Sequence, residues 1–261
     1  MAKSETNEVA KKANTDVGVA LNFEEAGSTG FDEMNQDDLA LPFVRILQPG
    51  SPQIGNLDGA TPGMFYNTVS DELTAGSEGI AVVACAYERK YTEWEERGTG
   101  KNAPVNIFNS TSDILTKTHK KPNSNKDWLD NGNYVEQNAN YYVMVLDKEG
   151  SPTPALIIMK STQLKKARKW NSMMQSVKAT GKNGMFTPPM FSQVYRLTSV
   201  SEKNDYGNWF GFEVSHMGAI ENASLYEKTS AFAKSVKAGE VTVKTENEEE
   251  AKEEEKDHNI F

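Results

Sequence analysis

Aromatic and cationic side chains occur side by side at several points in this sequence of 261 residues. Residues 87–94 read Tyr-Glu-Arg-Lys-Tyr-Thr-Glu-Trp, and residues 165–170 read Lys-Lys-Ala-Arg-Lys-Trp. Aromatic rings can stack on the bases of an unpaired nucleic-acid strand, while lysine and arginine neutralise its phosphates. Because every base has a face that can stack, this combination favours binding of a single strand without preference for its sequence.

Two sets of side chains are predicted to contact such a strand. The cations expected to contact phosphates are Arg89, Lys90, Lys160, Lys165, Lys166, Arg168, Lys169 and Arg196. The rings expected to stack on bases are Tyr91, Trp94, Trp128, Trp170 and Trp209. Packing in the core is the alternative for each ring, most of all for Trp170, which lies beside the apolar stripe of a predicted helix.

Acidic and basic residues are segregated along the chain, and the net charge of −9 hides a basic region. Residues 1–40 and residues 245–261 each carry a net charge of −6. Residues 151–201 contain eight lysines and arginines and no Asp or Glu. A basic region of this density favours a polyanion as the ligand.

The C-terminal segment 245–261 combines many carboxylates with an apolar end. A segment of this composition cannot bury enough apolar surface to fold, so we predict a solvated tail. We expect it to compete with nucleic acid for the basic region and to bind other proteins when released; improved solubility alone is the alternative role. The residues predicted to contact a protein partner are Glu253, Glu254, Glu255, Asp257, Ile260 and Phe261.

Motifs for catalysis are missing from the sequence. His119, His216 and His258 do not stand at metal-ligand spacing from one another or from Cys85. Residues 98–101 read Gly-Thr-Gly-Lys but lack the first glycine and the final Ser or Thr of a phosphate-binding loop. We therefore predict no enzymatic activity, no metal and no cofactor. A nuclease with dispersed carboxylates is the alternative, and cleavage of an oligonucleotide would reveal it.

Apolar periodicity predicts a mainly β (α+β) fold. Helical spacing over residues 162–179 follows Ser161 as the expected N-cap, and a capping box at Ser224 opens a second helix. The first helix falls between the third and fourth of five strands, which is the layout of an OB-fold-like five-stranded barrel. The predicted strands cover residues 80–94, 134–146, 155–159, 191–200 and 209–214.

Composition divides the chain into a body and two arms. Residues 1–38 form a predicted disordered acidic arm, and residues 41–220 form the nucleic-acid-binding body. Residues 95–132 are expected to be a long loop inserted in that body. A C-terminal helix, residues 222–239, precedes the disordered acidic tail, residues 240–261. We expect no membrane span, since no run of apolar residues is long enough.

The sequence resembles the single-stranded DNA-binding proteins of lytic tailed bacteriophages, in particular those of the podophage type. The similarity lies in the strand–helix–strand order of residues 80–214, the basic helix after Lys160 and the acidic tail ending in Phe261. Segments 41–48, 51–53 and 86–94 are similar as well.

That resemblance implies a protein of DNA replication and recombination in the cytoplasm of the infected bacterial host. Such a protein coats single-stranded DNA and recruits the phage DNA polymerase and primase-helicase through its tail. The resemblance also implies a homodimer.

A second interpretation belongs to another functional class. The acidic arms would mimic DNA and inhibit a nucleic-acid enzyme of the host, and the protein would bind no DNA of its own. It predicts that the isolated body, residues 41–244, does not bind oligonucleotides.

Overall fold

The computed structural model describes residues 30–34, 39–96, 98, 103–122, 124–205, 207–241 and 243. The chain divides into two units, Met1–Asp38 and Leu39–Phe261. Most of the predicted N-terminal arm and the whole of the predicted partner-binding segment 245–261 lie outside the described residues.

The described part of the second unit is mainly β, with two α-helices. The helices are α1 (Leu164–Ser176) and α2 (Ala223–Ala238), and short 3-10 turns cover Ile114–Lys117, Ser161–Gln163 and Met190–Ser192. The strands are β1 (Val44–Ile46), β2 (Phe65–Asn67), β3 (Leu73–Thr74), β4 (Ile80–Trp94), β5 (Asn106–Asn109), β6 (His119–Lys120), β7 (Asp127–Trp128), β8 (Tyr134–Leu146), β9 (Pro152–Lys160), β10 (Ala179–Gly181), β11 (Gly184–Phe186), β12 (Gln193–Asn204) and β13 (Gly207–Ala219).

One large antiparallel sheet organises the unit. Its strands run in the order β13-β12-β4-β8-β7-β6, with β5 paired to β4 and β9 paired to β8. The sheet curls into a half-barrel. Within the described residues no pairing joins β13 to β6. The prediction of a mainly β fold is confirmed, whereas closure into a five-stranded barrel is not.

A β-bulge at Cys85 determines which side chains of β4 share a face. Ala84 lies opposite Val143 and Ala86 lies opposite Tyr142, so Cys85 is an extra residue in β4. Bulges bend a strand and increase its twist, which helps the sheet to curl. The Cys85 thiol is buried and its pKa is raised to about 12 by that burial, so the side chain is inert at neutral pH.

The two helices cover opposite faces of the sheet. Along β4, Val82 packs in the cluster beneath α1, whereas its neighbour Val83 packs in the cluster beneath α2. Trp170 anchors α1 in the first cluster, and Phe232 anchors α2 in the second. The apolar stripe predicted for the first helix is therefore its buried face.

Both helix starts differ from the prediction. Asn222 caps α2, because its side chain accepts a hydrogen bond from the backbone N–H of Leu225 (3.1 Å). Ser224 already lies inside the helix, so its predicted capping box is wrong. Ser161 is not an N-cap either: it has a φ of 52° and opens a 3-10 turn that leads into α1.

The predicted inserted loop, residues 95–132, contains local structure in its described part. It holds β5, a 3-10 turn, β6 and β7. These elements cover a small apolar cluster made by Tyr91, Ile114, Leu129 and Val135. The insertion is therefore folded against the outer half of β4 and β8.

A buried carboxylate ties this insertion to the sheet. The Glu93 side chain accepts hydrogen bonds from the side-chain amides of Asn106 (2.7 Å), Asn131 (3.0 Å) and Asn133 (2.6 Å). Burial alone would raise the pKa of Glu93, but these three donors outweigh it and hold the pKa below its usual range. The charged form of Glu93 thus stabilises the folded state.

Replacing Glu93 with glutamine is expected to lower the free energy of unfolding by about 1–3 kcal/mol at neutral pH, since one acceptor oxygen becomes an unpaired donor. Because the folded pKa is depressed, the stabilisation by Glu93 is present above its unfolded pKa and is lost as pH falls through the folded value. Urea unfolding at neutral and acidic pH measures both effects. The exposed Glu72→Gln variant is the control; equal losses for the two variants would contradict this role of Glu93.

Candidate nucleic-acid interface

A recess opens on the face of the sheet that α2 partly covers. Its volume is about 700 Å³, and its walls come from β1, β4, β8, β9, β13 and the chain after α2. Apolar walls include Phe43, Tyr142 and Ile158, and the residues just after α2 contribute Val241 and Val243. A recess of this size with a few polar groups is typical of a ligand site.

The strand register places polar and cationic side chains in rows across the floor of this recess. Asn138 on β8 lies opposite both Lys90 on β4 and Lys160 on β9. Two residues away, Asn140 lies opposite Glu88 and Ile158. Because alternate residues of a strand share a face, both rows point to the same side of the sheet.

A second recess of about 730 Å³ continues from the first. Trp209, Lys126 and Tyr134 belong to its walls. The two recesses meet at Gln48, Trp94, Lys160, Gln163 and Phe210, which line both. Together they form one elongated depression, called the groove below.

Two lysines of the groove are paired with acids of the same sheet face. Lys160 Nζ lies 2.9 Å from a carboxylate oxygen of Glu136 and 5.7 Å from the centre of the Trp94 ring. Lys90 Nζ lies 3.3 Å from a carboxylate oxygen of Glu88. Partly exposed ion pairs of this kind contribute little to stability, so a phosphate can replace the carboxylate at small cost.

Three buried polar atoms beside the groove have no hydrogen-bond partner among the described residues. They are Trp94 Nε1, Asn138 Oδ1 and Asn140 Oδ1. Unpaired polar atoms are uncommon inside proteins. They have almost no exposed surface, so a ligand would reach them only after a neighbouring side chain moves.

Three of the five predicted stacking rings are buried. Trp170 has no exposed surface and stacks on Tyr141, with ring centres 4.3 Å apart. Tyr91 packs in the cluster under the insertion, and Trp128 packs against Tyr134 with Lys121 Nζ 3.4 Å from its ring centre. The structure therefore assigns these three rings to packing, because none has a free face for a base.

The other two predicted rings, Trp94 and Trp209, lie in the walls of the groove. Trp94 and Trp209 are both partly exposed, and both line the groove. The indole N–H of Trp209 donates to a carboxylate oxygen of Glu202 (2.9 Å), which fixes the orientation of the ring. These two positions remain candidates for base stacking.

The basic helix is less positive than the sequence suggested. Lys166 pairs with Glu202 and with Glu213, each at 3.0 Å, and Lys169 Nζ lies 2.6 Å from Glu213. These lysines lower the pKa of Glu213, while the two carboxylates raise the pKa of Lys166 against the effect of burial. Glu202 lies on β12 and Glu213 lies on β13, and both follow the acid-free segment 151–201 in the sequence. The fold brings these two carboxylates back to the helix, where they neutralise part of its positive charge.

The remaining predicted phosphate contacts lie at different places. Lys90 and Lys160 line the groove, and Lys165 and Arg168 are exposed on α1. Arg196 donates to the backbone carbonyl of Glu78 (2.8 Å). Arg89 points away from the groove, because it alternates with Lys90 along β4; its pKa is raised by hydrogen bonds to the hydroxyls of Tyr87 and Tyr91.

The structure adds two cations that the sequence prediction did not include. Arg45 lies on β1 in the first recess, and Lys126 lies in the second with its Nζ 3.4 Å from the ring centre of Tyr134. Arg45 could have been noticed in the sequence, because it is the one charged residue in the otherwise apolar stretch 41–47. Lys126 belongs to the group of lysines that precedes Trp128 in the sequence, but its place in the groove depends on the fold of the insertion.

Two other features are not found among the described residues. No group of three or more His, Cys, Asp or Glu in that part of the chain is arranged to hold a metal ion. None of the helices described has the length and apolar character needed to cross a membrane.

A known protein family matches most of this chain. No curated protein and no solved structure matches the chain significantly. A family model described as Pam3 phage gp34-like protein matches residues 10–242, which is most of the chain. The sequence therefore belongs to the Pam3 phage gp34-like protein family.

Proposed function

We propose that this protein binds single-stranded DNA without sequence preference during replication and recombination of phage DNA. The observation that carries the proposal is the groove, in which Trp94 and Lys160 stand at the junction of two connected recesses. A single strand needs cations along its backbone and exposed ring faces for its bases. The groove offers both, although its four cations stand among four carboxylates, those of Glu88, Glu95, Glu96 and Glu136, which phosphates would have to replace. Membership of a phage protein family is consistent with this role.

The side chains of the groove set the expected strength and character of binding. A stacked base contributes roughly 1–3 kcal/mol, and Trp94 and Trp209 offer two such positions. Phosphate contacts by Arg45, Lys90, Lys126 and Lys160 would give a slope of log K against log salt of about −3 on a single strand. Binding should therefore be tolerant of sequence and weakened strongly by salt.

The half-barrel would act in the manner of an OB-fold, with the strand crossing the face of the curled sheet. In this proposal the acidic tail competes with DNA for the groove. Its release would expose Ile260 and Phe261 to the phage DNA polymerase and primase-helicase. We further propose that the protein acts as a homodimer in the cytoplasm of the infected host.

Quenching of intrinsic tryptophan fluorescence by poly(dT) tests the proposal on the full chain. We expect partial quenching, because Trp94 and Trp209 are partly exposed while Trp128 and Trp170 are buried. Added salt should reverse the quenching with a slope of about −3. The oligonucleotide should emerge intact, since the proposal includes no catalysis.

A matched experiment separates this function from the alternative. If neither the full chain nor residues 39–243 bound poly(dT) in dilute buffer, single-strand binding would be excluded. A protein with acidic arms that occupies the DNA site of another protein would then be the better explanation. Salt-reversible binding by either form would exclude that alternative as stated, because it requires a body without affinity for DNA.

A further inference from the structure

The hairpin formed by β10 and β11 carries two large apolar side chains that face solvent. Met185 is 73% exposed and Phe186 is 49% exposed. Within the part of the chain that the structure describes, the two strands pair only with each other, from Ala179 opposite Phe186 to Gly181 opposite Gly184. Two large apolar side chains exposed next to each other form a small apolar patch, the kind of surface that a binding partner can cover.

The Phe186 ring lies close to the backbone of its own hairpin. A side chain added at Gly181 would place its Cβ 3.1 Å from an atom of the Phe186 ring. An added Cβ would therefore force the ring to shift by a few tenths of an ångström. One edge of the Phe186 ring contacts the hairpin, and 49% of the side chain is exposed.

The surroundings of this ring are basic. Lys178 Nζ donates to Thr187 Oγ1 (2.6 Å), and Lys182 is exposed in the hairpin turn. Neither lysine forms an ion pair with a carboxylate in the described part of the chain. An aromatic face beside unneutralised cations is complementary to an anionic strand of stacked bases.

Helix α1 connects this hairpin to the groove. The helix follows directly on Lys160 and Gln163, which line the junction of the two recesses. Lys165 and Arg168 stand three residues apart on its exposed side, and neither is paired with a described carboxylate. Thirteen helical residues span about 20 Å, so the hairpin lies beyond the reach of a very short oligonucleotide in the groove.

We propose that Phe186 is a further base-stacking position, reached by a strand that leaves the groove at residues 161–163, passes to the opposite side of the sheet and follows α1 past Lys165 and Arg168. This inference rests on the single-strand binding proposed above and extends the DNA path beyond the groove. A second copy of this chain is the other occupant that an exposed apolar hairpin could have. The basic surroundings favour DNA, because like charges on two copies would repel each other.

The test compares Phe186→Ala with Met185→Ala in the full chain, using oligo(dT) of about six and of about twenty nucleotides. Phe186→Ala should weaken binding of the long oligonucleotide on the order of tenfold and leave the short one unchanged. Met185→Ala is the matched control, since it removes an exposed side chain from the neighbouring position. Phe186→Trp should bind the long oligonucleotide about as tightly as wild type does. Only the long oligonucleotide, and not the short one, should quench the fluorescence of the added tryptophan.

The outcomes are distinguishable from failure of the proposed function. If wild type binds neither oligonucleotide, single-strand binding itself is lost. If wild type binds and Phe186→Ala retains full affinity for the long oligonucleotide, only the role of Phe186 is overturned. A change from dimer to monomer in Phe186→Ala, measured by sedimentation velocity, would also overturn it, because the hairpin would then join two copies.

Discussion

Replacing Trp170 with alanine is expected to lower the free energy of unfolding by about 3–5 kcal/mol. Trp170 has no exposed surface, stacks on Tyr141 at 4.3 Å and meets the edge of Tyr195 at 5.7 Å. Its removal leaves a cavity between α1 and the sheet that the surrounding strands cannot close. Urea denaturation followed by circular dichroism measures the loss.

Trp170→Phe is the matched control for this prediction. Phenylalanine retains much of the ring volume and removes the indole N–H, which has no partner among the described residues. We expect it to lose less stability than the alanine variant. A loss below about 1 kcal/mol for Trp170→Ala would contradict a core position and would return Trp170 to the candidates for stacking on bases.

Replacing Trp94 with alanine is expected to weaken binding of oligo(dT) by roughly 1–3 kcal/mol, because one stacked base is lost at the junction of the groove. The salt dependence should remain as in wild type, since no cation is removed. Fluorescence anisotropy with a labelled oligonucleotide at several salt concentrations gives both quantities.

Lys160→Gln provides the contrasting variant. It removes a phosphate contact and should reduce the magnitude of the salt slope by about 0.7. A Trp94→Ala variant that binds like wild type would remove the groove from the DNA path. If both variants changed only the salt slope, Trp94 would act by positioning Lys160, which lies 5.7 Å from its ring centre.

Much of the sheet was predictable because its central strands have strong local signals. The bounds predicted for β4 and β8 agree with the structure, since each is a long run of apolar and alternating residues. The buried face of α1 followed from helical spacing for the same reason. By contrast, helical spacing was predicted to continue to residue 179, whereas α1 ends at Ser176 and residues 179–186 form a separate hairpin that turns between Gly181 and Gly184.

The candidate site was predicted less well because it depends on distant pairing. Nothing local to α1 indicates that Glu202 and Glu213 reach Lys166. Nothing local to Trp128 indicates that the insertion folds over it and places Lys121 on its ring. Local composition identified the residue types of the site, whereas their exposure was decided by long-range contacts of the sheet.

The single additional residue at Cys85 has a consequence for how this chain tolerates insertions and deletions. Before Cys85, the even-numbered side chains of β4 face α1, as Val82 and Ala84 do. After Cys85, the odd-numbered side chains face α1, as Tyr87 does. Deleting Cys85 would remove the bulge and leave Ala84 and Ala86 opposite the consecutive residues Val143 and Tyr142, so Lys90 and Trp94 would stay on the face that lines the groove. A relative that is shorter by one residue at this point would therefore keep the same surface without any change in β8, and would lose only the local bend of the strand.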